Sequence, residues 1–543
     1  MKNMKDGISV ILFLLSFFTV LFSYWSANSF TYTCRKPHTI QRKGREKKME
    51  STGKNIPKIT KKPLVLISVM LAMFMGAIEA TIVSTAMPAI VGDLGGFSLY
   101  SWVFSAYLLM NAITVLIYGK LSDLYGRKPI ITFGIMMFLI GSVACGMAQS
   151  MEQLILFRFI QGFGAGAVLP MATTIVGDIY SREERAKIQG YLSSVWGISA
   201  VSGPLVGGLL VEYASWRYVF WVNIPLGLLA IAGLWLYLHE EIEKKKPEID
   251  VGGAGLLVVS LASLLFLLVE GGLSFQWVSW QAALLIGIFL IGSTVFIIHE
   301  RRTPQPMMPF DLWKVRSITV ANVVSLTTGV IIIGISSFLP AFVQGVMERS
   351  ATVAGFTLTA MSIGWPISAT IGGRLLLKIG YFKTSLIGGV ALITGGVFFL
   401  LMDPSSGPLW AAVGSFFVGV GMGLTSTSFI VSIQSSVTWE SRGIATATNM
   451  FMRNLGTTIG AALLGGILNS RLKTYFEHHG QDYSIDDVNM LLNPAERKSL
   501  AQEELQLLQG ALTSSLDWVY GAVFLFAVIS FTFILFFPKV LEK

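Results

Sequence analysis

Charge is scarce in this chain: Asp, Glu, Lys and Arg make up only 13% of its 543 residues, about half the fraction usual in soluble globular proteins. Together with the low polarity, this excludes a disordered protein and most soluble enzymes. Cysteine is nearly missing. Cys34 and Cys145 permit at most one bridge, and Cys145 lies inside an apolar run, so neither a disulfide framework nor a cysteine metal site is available. The five histidines (His38, His239, His299, His478 and His479) all lie outside the centres of apolar runs. There is no GxxxxGKS/T phosphate loop, no HExxH and no GxSxG. The residues for nucleotide hydrolysis, zinc chemistry or a serine hydrolase are therefore not assembled, and the chain is expected to be no enzyme and to need no cofactor. Any work it does would draw on an ion gradient.

What is abundant is apolar sequence. Hydrophobic residues make up 53% of the chain, with 36 phenylalanines and 55 glycines, and the mean hydropathy is +0.66. About 20 consecutive apolar residues cross a bilayer as a helix, because lipid offers the backbone no outside hydrogen-bond partners. Fourteen such runs follow residue 62, near 64–88, 100–119, 129–148, 153–177, 187–211, 217–238, 251–270, 279–298, 317–343, 353–376, 384–402, 409–431, 443–468 and 516–537. The sequence thus predicts an all-α polytopic membrane protein with fourteen transmembrane helices. Cytoplasmic loops are enriched in Lys and Arg. With 49–63 inside, the inside segments carry 23 of these residues, from Lys54 to Lys543, and the short outside loops only Arg217 and Arg349. Both ends of the fourteen-helix body are therefore expected in the cytoplasm, in the cell membrane. The net charge of +9 fits no basic nucleic-acid face, since the charges form short islands between apolar runs.

Residues 8–25 could be a signal-peptide core or an extra helix, and the first 48 residues carry nine Lys and Arg against Asp6 and Glu46, so most of the +9 resides there. An upstream start codon is the alternative. Residues 1–62 are accordingly set apart as an extension. An internal repeat divides the rest. Gly119–Lys128 (GKLSDLYGRK) is echoed by Gly373–Lys383 (GRLLLKIGYFK), Gln161–Gly166 by Val418–Gly423, and Gly203 with Gly207 by Gly456 with Gly460, at offsets of 253 to 257. Such spacing predicts two parallel six-helix halves, 63–240 and 317–537, with two helices inserted at 250–300 and a long outside loop at 469–515.

The loop after the second run reads Gly119-Lys-Leu-Ser-Asp123-Leu-Tyr-Gly126-Arg127-Lys128. Asp123 and Arg127 are four apart, close enough to pair or to reach a helix end, and Gly119 and Gly126 permit tight turns. The element could be a latch, or its charges could only set topology. Glu79 lies deep in the first run, in Gly76-Ala-Ile-Glu79-Ala-Thr81. Ionisable groups there are costly and are functional candidates by default. Desolvation disfavours a carboxylate against its neutral acid, so such a group can load a proton and release it when a cation or a nearby arginine arrives. A permanent structural pairing, for instance with Arg158, is the other reading.

At Gly119–Lys128 the sequence resembles the major facilitator superfamily, whose signature between helices two and three is G-x-L-a-D-r-x-G-r-K/R. Three further elements are similar: Arg158-Phe-Ile-Gln161-Gly162 in the fourth helix, Gly203-Pro204-Leu-Val-Gly207-Gly208 in the fifth, and Ser215–Pro225 at the start of the sixth. The last points to the fourteen-helix drug:proton antiporter branch. The resemblance implies export of amphipathic, often cationic, small molecules by alternating access against proton flow, in a lipid membrane, by a monomer. It implies that Arg158 links protonation of Glu79 to helix rearrangement, and that the Gly203–Gly208 element seals the cavity against proton leak. Two positions depart from the pattern: Leu377 stands where the second copy would carry Asp, and Glu79 where many relatives carry Asp. A dedicated exporter or importer of one lipid, siderophore or metabolite is the alternative within transport. Arg453, in the thirteenth run, is a further buried-cation candidate.

Overall fold

The computed structural model describes residues 60–539 except 181, 241–249, 304–305, 307, 309, 438–441 and 479–482. Lys62–Lys543 is the second of the chain's two units, and the candidate helix at 8–25 lies outside the described residues. The long helices of the second unit are α1 (Lys62–Leu94), α2 (Tyr100–Tyr125), α3 (Arg127–Gly146), α4 (Met151–Ile179), α5 (Arg182–Tyr213), α6 (Tyr218–Tyr237), α7 (Val251–Glu270), α8 (Trp280–Arg302), α9 (Arg316–Ala341, extended by a π turn at Phe342–Val346), α10 (Ala351–Leu400), α11 (Gly407–Ser436), α12 (Arg442–His478) and α13 (Gln502–Leu535). Among the described residues there is no strand, only an isolated bridge between Gly271 and Phe275.

Twelve of these helices are long and apolar enough to cross a membrane, against fourteen apolar runs in the sequence. The two counts part at two places. α10 is one element of 50 residues with a break at Gly380, whose φ of 80° and ψ of 173° are not helical. An unbroken helix of that length would span about 75 Å, more than twice the hydrocarbon core. The chain instead reverses at Gly380, because Leu424 of α11 lies against Gly372 on one limb and Gly388 on the other. The second is α12, which carries Arg442, Arg453, Arg471 and Lys473 and falls outside the twelve.

Gly126 makes the same reversal between α2 and α3, with φ of 89° and ψ of 158°. The echo extends to packing. Gly166 packs on Thr114, Asn111 and Val115, and Gly423 on Ser368, Trp365 and Ala369; Gly162 meets the Tyr107 carbonyl and Gly419 that of Met361. Each contact pair recurs at an offset near 254, so the repeated glycines are repeated helix crossings, where a missing side chain lets backbones touch. Cores form on both sides of this repeat, around Val69, Phe138, Met171 and Leu234 in the first and around Ile318, Phe429 and Ile534 in the second.

The halves meet closely at the end of the bundle that carries Gly96. The Pro204 carbonyl of α5 lies 2.3 Å from where a Gly355 Cβ would stand in α10, and Ser101 of α2 fills the space beside Gly465 of α12. Residues 485–499 form a strap of short helices across this end. Asn489 and Asp486 accept from the backbone of Phe97 and Ser98 at 3.1 and 3.0 Å, and Asn493 donates to the Gly92 carbonyl at 3.1 Å. Arg497 donates to the carbonyls of Gln344 and Leu491 at 2.6 and 3.1 Å. Beyond the strap, the chain from Gln502 runs straight into the last spanning helix, with Leu508, Leu512 and Leu516 on one buried face.

Candidate functional site

Glu79 sits near the middle of α1, 17 residues from Lys62 and 15 from Leu94, and its side chain is wholly buried. Helices α2, α3, α4 and α6 surround it with polar groups. Arg158 of α4, only 2% exposed, donates from a terminal guanidinium nitrogen to Glu79 Oε1 at 2.5 Å and to Gln161 Oε1 at 2.7 Å. Its Nε donates to the Val103 carbonyl at 3.2 Å, and the guanidinium stands 4.1 Å from the Tyr107 ring centroid. Asn223 of α6 donates Nδ2 to the other oxygen of Glu79 at 2.7 Å. Gln161 in turn donates to Ser142 Oγ at 2.8 Å.

Burying an ion pair costs several kcal/mol per ion, and breaking one by removing a partner costs roughly 3–5 kcal/mol. The network compensates both charges while leaving the carboxylate with two movable partners, a cation and an amide. The sequence placed Glu79 and Arg158, and the structure brings them together with Gln161. It did not single out Asn223, Tyr107 or Ser142. Asn223 carried a readable signal, an amide opening an apolar helix, whereas Tyr107 and Ser142 were indistinguishable from ordinary helix residues.

Glycines set the reach of these side chains. A Cβ on Gly162 would stand 2.4 Å from the Tyr107 carbonyl and one on Gly141 2.5 Å from Gln161 Cα, so α4 rests on both α2 and α3 within a turn or so of Arg158. The Gly203-Pro204-x-x-Gly207-Gly208 element does the same between α5 and its neighbours. A Cβ on Gly203 would stand 1.9 Å from Thr81 Oγ1, one on Gly207 3.0 Å from Ile82, and one on Gly208 2.8 Å from Thr352 of α10. The element therefore presses α5 onto α1 two residues from Glu79 and onto the other half.

In the second half, Gly456 and Gly460 press on Leu326 and Val330 as Gly203 and Gly207 press on Ile78 and Ile82. By that register Thr327 stands where Glu79 stands, and it pairs with Ser530 through their hydroxyls at 2.7 Å. The buried acid belongs to one half only.

The Gly119–Lys128 element lies at the opposite end from the strap. The side chain of Asp123 lies outside the described residues, as does the packing of Gly119, and with them the expected Asp123–Arg127 pairing. Arg127 Nε pairs with Asp178 Oδ2 of α4 at 3.1 Å. The backbone N–H groups of Arg127 and Lys128 donate to the two carboxylate oxygens of Glu240 at 2.7 and 2.9 Å. Glu240 thus caps the unpaired amides opening α3. Lys128 donates to the carbonyls of Trp235 and Leu238 at 3.1 and 2.8 Å and lies over the Trp235 ring. Asp178, at the end of α4, and Glu240, after α6, are far from Arg127 in sequence, so no local spacing marked them.

The Major Facilitator Superfamily model matches residues 69–461. The chain belongs to the major facilitator superfamily. The multidrug transporter protein MdtP of Bacillus subtilis (strain 168) is 37% identical over 425 residues, 78% of each chain. Multidrug resistance protein 3 of the same organism is 36% identical over 492 residues, 88% of this chain and 96% of that one. Among solved structures, a bacterial homologue of the human lysosomal transporter Spinster, with 16% identity, superposes with a TM-score of 0.64 over 90% of this chain and all of its own. The fold is that of a multi-pass membrane transporter.

Proposed function

We propose that this superfamily member exports amphipathic small molecules, lipophilic cations included, in exchange for protons. In this reading the body crosses the membrane fourteen times, α10 counting twice across Gly380 and α12 once. Residues 63–240 and 317–537 form two six-helix halves, with α7 and α8 inserted between them. The end carrying Gly126 and most Lys and Arg faces the cytoplasm, and the strap covers the outer end.

The observation that carries the proposal is the fully buried Glu79–Arg158 pair with Asn223 on the free oxygen. A proton arriving from outside adds to a Glu79 oxygen and cancels the charge that holds Arg158. Gln161 and the Val103 carbonyl keep the guanidinium in place meanwhile. The freed interaction lets α1 and α4 shift against each other, and release of the proton to the cytoplasm restores the pair. Substrate binds near the midplane between the halves, as in transporters that rock around a fixed site. Gly203–Gly208 closes α5 on α1 and α10 against proton leak, and Gly126-Arg127-Lys128 locks the inner ends of α3, α4 and α6.

The experiment is uptake into inside-out proteoliposomes of the full chain under an imposed pH gradient, with ethidium, tetraphenylphosphonium and a neutral dye. Accumulation of several of these, abolished by an uncoupler, is the expected result. Accumulation insensitive to the gradient contradicts proton exchange, and movement of none or one of them replaces broad export with a dedicated substrate.

A further inference from the structure

The second half holds a cation that no described acid neutralises. Arg453, eleven residues into α12, makes no hydrogen bond or ion pair with a described residue; its partner among them is the Trp365 ring of α10, 5.8 Å from the guanidinium carbon. Arg158, by contrast, donates to Glu79, Gln161 and Val103. Both Arg453 and Trp365 are partly exposed, so the pair is open to a ligand on at least one side.

Their backbones are pinned. A Cβ on Gly329 of α9 would stand 2.4 Å from the Arg453 carbonyl, and one on Gly423 of α11 2.3 Å from the Trp365 carbonyl. One turn from Arg453, Asn449 ties α12 to Asn322 and Ser325 of α9 at 3.1 and 2.9 Å. Both helices border the junction of the halves, α10 through Gly355 and Pro366 against α5 and α12 through Gly465 against α2.

We propose that Arg453 and Trp365 form a substrate subsite, the guanidinium taking the carboxylate of an aromatic amphipath and the indole face taking its ring. A guanidinium fork matches a carboxylate with two parallel hydrogen bonds, and any charge left unpaired in an apolar setting is costly. An indole beside it supplies apolar area and stacking for a planar ring. Glu79 offers no competing field, since its charge is cancelled by Arg158. The inference rests on the export reading and narrows it: zwitterions and amphipathic acids join the cations as substrates, held from the opposite half.

The test uses a matched pair of dyes, rhodamine 110 with a free carboxylate and its methyl ester rhodamine 123. Equilibrium binding to the purified full chain is followed by fluorescence polarisation, with uptake into phosphatidylcholine proteoliposomes in parallel, so that no anionic lipid headgroup competes. Arg453→Gln is expected to weaken rhodamine 110 binding at least tenfold while rhodamine 123 stays within twofold. Trp365→Ala is expected to weaken both dyes alike. If Arg453→Gln does not fold, Arg453→Lys serves, with a several-fold loss confined to the acid. An unchanged ratio of the two dyes in these Arg453 variants overturns the subsite, and if wild type still accumulates both dyes the export reading stands without it. Acid binding that depends on Arg453, with no gradient-driven uptake of either dye, keeps the subsite and overturns the export reading.

Discussion

Gly126 and Gly380, 254 residues apart, hold the same backbone conformation, with φ of 89° and 80° and ψ of 158° and 173°. Each reverses the chain between two antiparallel helices of its half, in a region of conformational space that side chains other than glycine scarcely enter.

Gly380 has open space around it, with nothing within 4 Å of an added Cβ, so Gly380→Ala isolates the backbone term. It is expected to cost about 1–3 kcal/mol, read as a lowered Tm of the purified protein in detergent. Gly373, equally open but without a positive φ, is the control. Gly373→Ala should hold or raise the Tm by removing helix flexibility. Equal losses at both positions would contradict the reversal.

Gly203→Ala and Gly456→Ala should differ in whether they can be rescued. An added Cβ at Gly203 would stand 1.9 Å from a side-chain oxygen, Thr81 Oγ1; at Gly456 it would stand 1.9 Å from the Leu326 carbonyl oxygen. Overpacking costs about 1–3 kcal/mol in each case. Thr81→Ala should recover part of the lost stability and transport in the Gly203 variant, whereas no side-chain deletion on α9 should help the Gly456 variant. Failure of Thr81→Ala to recover anything would show that the close approach of α5 to α1 is not what Gly203 provides.

The strap should behave as a clasp on the end that carries Gly96. Asn489→Ala and Asp486→Ala each remove the acceptor of one backbone amide, that of Phe97 and that of Ser98. A hydrogen bond of this kind contributes on the order of 1 kcal/mol net, more to a charged acceptor. Amide exchange at the α1–α2 junction, followed by mass spectrometry, should therefore rise roughly five- to tenfold with Asn489→Ala and further with Asp486→Ala. Unchanged exchange would mean that the strap does not hold this end.

Asn223→Ala removes the partner of Glu79 Oε2 while leaving Arg158 in place. Leaving a buried charged acceptor short of one partner costs about 1–3 kcal/mol, so gradient-driven turnover should fall about tenfold, with Asn223→Asp falling further because it sets a second acid against the first. Wild-type turnover in both variants would remove Asn223 from the site.

Much of this was legible in the sequence because membranes enforce it. Apolar runs had to be helices, and Glu79 and Arg158 were conspicuous as charges among Ile, Ala and Phe. The repeat at an offset near 254 was visible in glycines, which mark helix crossings. What stayed hidden depends on contacts between distant segments. Glu240 caps α3 from 112 residues away, and Asn489 reaches Phe97 across 392. Short polar residues such as Ser142 satisfy helix backbones so often that spacing cannot tell a network member from a bystander. The sequence did separate the two limbs of α10, 353–376 and 384–402, which the structure joins in one element across Gly380.

Proton coupling through Glu79 is tested most directly by comparing wild type with Glu79→Gln in the same proteoliposomes, measuring dye accumulation under a pH gradient and dye exchange at equal pH. Glutamine keeps the shape and a hydrogen bond to Arg158 but can neither load nor lose a proton. Gradient-driven accumulation should fall to background in the variant while exchange at equal pH persists. Full gradient-driven accumulation by Glu79→Gln would contradict the coupling role of this carboxyl.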